Sequence, residues 1–241
     1  MTDMKIFDLD SPFMRALTII SDLLWLNVLT LVCCLPVLTT GASLTAMHYM
    51  ALKIVRGEEN RITASFFRAF KENFRQSTAI WLIMLVISVI LGVDIYIMYM
   101  KLLNFPGIIE FIIGVIAILM LMMFTFVFPV QAKFANPVPR TLKNAFVISI
   151  LQAPKTILMI VMNVVAVLMV FSVRLMPIAL FFGISAPAYV GALLYNKFFK
   201  KLEDQITEAN GGDEPEEMAE DDERIFHDEL DESISINENI H

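Results

Sequence analysis

Five long apolar runs, separated by shorter polar stretches, set the pattern of this chain of 241 residues. The first covers residues 16–38 and is interrupted by Thr18, Ser21, Asp22, Asn27 and Thr30. The others cover residues 79–100, 106–130, 155–173 and 175–195. Each is close to the roughly 20 residues with which an α-helix crosses about 30 Å of hydrocarbon. The pattern predicts five membrane-spanning helices. Ser11 and Pro12 mark the start of the first, and Pro36 and Gly41 mark its end. Asp22 and Asn27 are costly against lipid, so both are expected to face protein. Trp81 and the pair Tyr96 and Tyr99 fall at opposite edges of the second run, where an aromatic belt would place them.

The polar stretches carry their own periodicity. Residues 44–56 form a short helix that Ser43 can cap and Gly57 can end. Its apolar part is too short to span, so it is expected to be interfacial or re-entrant, or to form a short sixth crossing with the first span. Residues 61–76 read RITASFFRAFKENFRQ. At helical spacing, Ile62, Phe66, Phe67, Ala69, Phe70 and Phe74 share an arc of roughly 160°, with Arg61, Arg68 and Arg75 opposite. That predicts an amphipathic helix lying on an anionic leaflet. Asn73 falls inside the apolar arc and is expected to bond to a neighbouring helix. Residues 131–154 form a second interfacial stretch. RAFKENF (68–74) and RTLKNAF (140–146) share R-x-x-K-x-x-F, and each precedes two spans. The echo suggests two parallel copies of an interfacial helix plus a hairpin.

Composition agrees with a membrane protein: 57% of residues are hydrophobic and the mean hydropathy is +0.69. Charge then divides the chain in two. Through Lys201 there are 17 basic and 9 acidic residues, and beyond it 1 basic and 16 acidic. Residues 1–201 therefore read as a transmembrane domain, and residues 202–241, with GGDEPEEMAEDDER at their centre, as an acidic, disordered tail. Lys53, Arg56, Arg61, Arg68, Lys71 and Arg75 precede the second run, and Lys133, Arg140, Lys143 and Lys155 precede or begin the fourth. The excess of positive charge puts these segments and the C-terminus on the cytoplasmic side of a bacterial cell membrane. The N-terminus is then outside with five spans and inside with six. A cleaved signal peptide is not expected, because three Asp residues accompany one Lys in the first ten positions.

Candidate chemistry is sparse. Cys33 and Cys34 are adjacent and belong to no disulfide or metal pattern. His48 is the sole histidine outside the tail, and no Ser/His/Asp set or phosphate loop appears. Enzymatic activity, a cofactor, a metal and nucleic-acid binding are therefore not expected. Asp94 and Glu110 lie toward the outer face, where they are solvated, share a cation or pair with Lys101. Asn27, Asn73 and Asn163 are expected to make interhelical hydrogen bonds. Pro36 with Gly41, and Pro187 within GISAPAYVG (183–191), break the first and last spans. Broken spans either kink a bundle or expose backbone to a ligand.

The stretch 26–76 carries N-x(8)-P-x-x-T-x-G-A-S, then K-x-x-R-G-E-E, then SFF-x-x-F-K-x-N-F. These features resemble the N-terminal signature of the YesL family of bacterial membrane proteins. The resemblance implicates Asn27, Pro36, Thr39, Gly41, Ser43, Phe70 and Asn73, and the basic face adds Arg68 as a candidate. It also implies an accessory or regulatory role beside carbohydrate uptake, with subunits of a sugar ABC transporter as partners. A homo-oligomer and a small transporter with its path between the broken first and last spans are the other readings.

Overall fold

The computed structural model describes residues 12–58, 61–101, 106–134, 136–172 and 174–209. Among them every regular element is a helix. In chain order these are α1 (Pro12–Cys34), a 3-10 turn (Val37–Thr39), α2 (Thr40–Arg56), α3 (Ile62–Tyr99), α4 (Gly107–Lys133), α5 (Val138–Leu151), α6 (Ala153–Phe171), α7 (Met176–Phe182) and α8 (Ser185–Ala209). Four helices, α1, α3, α4 and α6, are long and apolar enough to cross a membrane. The count is five if α7 and α8, bent by 51° at their junction, make one span.

The chain forms two compact units, residues 1–196 and 197–241. In the second, the described part is the end of α8, which stays helical through Glu203 and Asp204 to Ala209. The first eight residues of the stretch expected to be a disordered tail are thus helical. The remainder, 210–241, lies outside the described residues, as do Glu59 and Asn60 of the K-x-x-R-G-E-E turn and residues 102–105.

The first unit is built around α2. No residue of α2 is exposed, and Gly41, Ala42, Ser43, Thr45, Ala46, Met47 and Met50 are fully or almost fully buried among α1, α3 and α4. An interfacial helix would leave one face open to lipid, so of the three expected placements the interfacial one is corrected. The reason is size rather than greasiness, because small side chains let neighbouring backbones come close. At Gly41 a Cβ would sit within 2.5 Å of the Trp81 Cβ and closer still to the Ser77 carbonyl oxygen. Gly41 is therefore a contact point inside α2, not the end of a span.

Of two other boundary residues, Pro36 follows the end of a helix as expected and Ser43 departs from expectation. Helix α1 ends at Cys34, ahead of Pro36. The Thr39 hydroxyl lies 2.6 Å from the Cys33 carbonyl and 2.8 Å from that of Pro36, closing the turn between α1 and α2. Ser43 does not cap a helix. It is buried in α2 and donates to the Thr30 carbonyl of α1 at 3.0 Å. Gly57 does end α2: its φ is +72°, and its N–H and that of Glu58 bond back to the carbonyls of Ile54 and Lys53. Only glycine adopts that conformation without a steric cost.

Residues 61–76 are not a separate surface helix. They open α3, one continuous helix of 38 residues. The sequence changes polarity near Gln76 but offers neither Gly nor Pro to stop the helix there. At 1.5 Å per residue α3 rises about 57 Å, against about 30 Å of hydrocarbon. Its protein-facing stripe is Phe66, Ala69, Ser77, Ile80 and Met84, with Asn73 half-buried along it. Phe67 and Phe74 stay outside that stripe and are exposed. The second copy of the motif behaves otherwise. Pro137 and Pro154 bound α5 on either side, so RTLKNAF sits in its own helix of 14 residues.

Candidate functional site

The polar side chains of α1 show which of them are spent locally. Thr18, Ser21 and Thr30 each donate to the carbonyl four residues earlier, which satisfies a hydroxyl inside its own helix. Asn27 does something different. It is fully buried, and its amide reaches the junction of α7 and α8. Nδ2 donates to the Leu180 carbonyl at 2.6 Å, and Oδ1 accepts the backbone N–H groups of Ile184 at 3.1 Å and Ser185 at 3.0 Å.

A helix break frees carbonyls on one side and N–H groups on the other, and in an apolar setting each needs a partner. One asparagine supplies partners to both sides of this break. The break itself lies at Gly183 and Ile184. Pro187, expected to cause it, sits in the first turn of α8, where a proline ring is tolerated.

Beside this junction lies a cavity of about 690 Å³. Its wall draws Leu31 from α1, Met47 and His48 from α2, Phe124 and Phe128 from α4, Met159, Asn163 and Val167 from α6, Leu180 from α7, and Pro187 and Ala188 from α8. The volume is within the range of about 300–1,000 Å³ usual for small-molecule sites. Nearly all of the lining is apolar. His48, Thr125 and Asn163 are the main polar side chains in it. Thr125 donates to the Leu121 carbonyl, and Asn163 donates to the Met159 carbonyl in its own helix rather than across helices. His48 Nδ1 is buried with no hydrogen-bond partner. Trp81 backs the wall, with its ring 6.2 Å from that of Phe124 and 6.4 Å from that of Phe128. The Trp81 Nε1 donates to the Val37 carbonyl at 2.8 Å.

The residues singled out from the sequence fall into four places. Asn27 and Pro187 meet at the α7–α8 junction and its cavity. Pro36, Thr39, Gly41 and Ser43 form the α1–α2 joint and its packing on α3. Arg68, Phe70 and Asn73 lie on the first half of α3, where Arg68 is exposed and Phe70 and Asn73 are half-buried. Asp94 and Glu110 lie near the far end of α3 and in the first turn of α4. Among the described residues no ion pair or hydrogen bond joins Asp94 and Glu110 to each other or to Lys101. No group of three or more His, Cys, Asp or Glu side chains there could hold a metal.

Asn73 does bond across helices as expected. Its Oδ1 accepts from Gln131 Nε2 at 3.3 Å. Gln131 was not singled out from the sequence, yet it is the hub: it is buried on α4, donates also to Gln76 Oε1 at 2.8 Å, and accepts from Thr141 Oγ1 at 2.9 Å. It thereby ties the two motif-bearing helices, α3 and α5, to one side chain. Other cross-helix bonds were equally unmarked: Thr45 with Ser77 at 2.9 Å, Trp25 Nε1 to Thr63 Oγ1 at 2.8 Å, and Arg56 Nε to Asn196 Oδ1 at 3.0 Å.

A family model described as a protein of unknown function, DUF624, matches residues 22–95, from Asp22 in α1 nearly to the end of α3. No curated protein and no solved structure matches the chain.

Proposed function

We propose that this protein is a non-enzymatic, multi-pass component of a bacterial cell membrane that assists carbohydrate uptake by contacting subunits of a sugar ABC transporter. The observation that carries this reading is the first half of α3. Arg68, Lys71, Glu72 and Arg75 are exposed there beside exposed Phe67 and Phe74, on a helix longer than the hydrocarbon is thick. Exposed aromatics among basic groups suit a helix–protein contact at the membrane surface. The positive-charge bias puts this end and the C-terminus in the cytoplasm. The link to sugar uptake rests on the resemblance of residues 26–76 to the YesL family.

The test is affinity purification of the tagged protein from its native membrane. Recovery of transporter subunits that is lost in Phe67→Ser with Phe74→Ser, and in Arg68→Glu with Arg75→Glu, supports the reading. Undiminished recovery from both double variants overturns it. A second reading, a small transporter in its own right, is favoured by the meeting of α1 with the α7–α8 break beside a cavity. The apolar wall offers few groups to sugar hydroxyls, so substrate flux in liposomes holding the pure protein is the observation that would promote it.

A further inference from the structure

The cavity beside the α7–α8 junction is a place where apolar space meets one polar side chain with no partner. His48, on α2, a helix with no exposed residue, lines a wall that is otherwise mostly apolar, with Thr125 and Asn163 each bonded within its own helix. Its Nδ1 is buried and unpartnered, whereas Nε2 is not among the buried atoms that lack a partner. A neutral imidazole carries one N–H donor and one acceptor nitrogen. Leaving a buried ring nitrogen unmet in an apolar site is costly, and native structures rarely do so.

The outer rim of the same cavity settles what could reach it. Val167, Leu168 and Met176 line it and are 58%, 60% and 53% exposed. They continue the exposed apolar face of α6, one of the helices long enough to cross a membrane. Along α6 the cavity is lined from Met159 to Val170, so it runs from the middle of that helix toward its C-terminal end. With α6 crossing a membrane, this exposed apolar rim would meet hydrocarbon, and a ligand would enter sideways from the bilayer. A sugar or an ion has no such route. A hydrocarbon body fits the wall, and one hydroxyl or carbonyl on it answers His48.

We infer that this cavity is a binding site for a bilayer-dissolved amphiphile, with its hydrocarbon between α4 and α6 and its single hydroxyl or carbonyl hydrogen-bonded to His48. Asn163, across the cavity from α2, is placed to contribute a second contact. The inference is independent of the transporter-partner reading, because none of its residues lies on the exposed half of α3.

Trp81 provides the measurement, since its ring packs on Phe124 and Phe128 from behind the wall. The chain has two tryptophans, so Trp25→Phe leaves Trp81 as the sole reporter. The full-length variant, in nanodiscs of saturated phosphatidylcholine, is titrated with bromohexadecanol and, separately, with bromohexadecane. Bromine quenches indole fluorescence at short range. The expected result is saturable quenching, with the alcohol preferred over the alkane by about tenfold, as one hydrogen bond to an otherwise unmet group predicts.

In His48→Leu the preference falls to about one while quenching stays saturable, and in His48→Gln most of the preference returns. Val164→Phe with Val167→Phe narrows the mouth at exposed positions and raises the half-quenching concentration of both probes at least about fivefold. Quenching that only follows the bulk concentration of probe overturns the inference. So does equal affinity for the two probes, or indifference to the rim pair. If His48→Leu fails to fold, the wild-type preference and the rim pair decide the matter.

Discussion

Replacing Asn27 with leucine tests whether the bend between α7 and α8 is held from outside. Leucine branches at Cγ as asparagine does but is larger, so some crowding at this buried site accompanies the loss of hydrogen bonds. Three are removed: the one to the Leu180 carbonyl and those from the Ile184 and Ser185 N–H groups. Interhelical hydrogen bonds within membranes average about 0.6 kcal/mol and reach about 1.7 kcal/mol. Three of them therefore amount to about 2–5 kcal/mol, toward the upper end if the backbone groups find no water.

The control is Asn163→Leu, which removes one bond within a helix and should cost under about 1 kcal/mol. Both are read by reversible unfolding of the purified protein in mixed micelles. Hydrogen exchange on peptides covering 180–188 should accelerate in Asn27→Leu and not in Asn163→Leu. A stability loss in Asn27→Leu no larger than that of the control, or unchanged exchange over 180–188, would refute the clamp. The bend would then be a property of Gly183 and Ile184 alone.

Three further outcomes follow from the packing. Gly41→Ala forces a methyl group against the Ser77 carbonyl and Trp81; it should destabilise by about 1–3 kcal/mol and shift the Trp81 emission, whereas Gly114→Ala, with open space around it, should do neither. Gln131→Leu strands Asn73, Gln76 and Thr141 together and should cost about 1–3 kcal/mol, measured by the same unfolding assay, with Thr141→Val costing less and the double variant costing little more than Gln131→Leu. Gly57→Ala holds a Cβ at φ +72° and should cost about 1–2 kcal/mol without disturbing any contact, since nothing lies near the added atom.

What the sequence made legible was local chemistry; what it hid was partnership. Gly57 could be read as a helix end because the left-handed conformation is a property of one residue. Asn27 could be read as protein-facing from the cost of an amide in lipid. Its partners, some 150 residues away on α7 and α8, have no mark in the sequence around it. The α1–α2 joint misled because Gly41 and Ser43 are good at two things, stopping helices and packing them closely, and only the neighbour decides which. For α2 as a whole, an apolar part too short to span suggested a surface position, whereas its small residues bury it. Residues 61–76 misled because a change in polarity was taken for a break in the backbone. Gln131 gave no signal: one glutamine near the end of an apolar run looks like the edge of a span. His48 was weighed as a metal or acid–base group and set aside, although a single imidazole needs no metal to bind a hydroxyl.

The unbroken length of α3 has a mechanical consequence. A helix with no hinge cannot bend where its surroundings change from polar to apolar, so a push on one end arrives at the other as a tilt. For a rod of about 57 Å pivoting at its middle, a tilt of about 10° carries each end sideways by about 5 Å. Its sequence counterpart is jointed: α5 meets α6 at Gln152, with Pro154 just beyond, so the same force would fold that joint instead of crossing it. One copy of the motif is a lever and the other a knuckle. Gln131 is bonded to both, so a shift of either helix would strain its hydrogen bonds to the other.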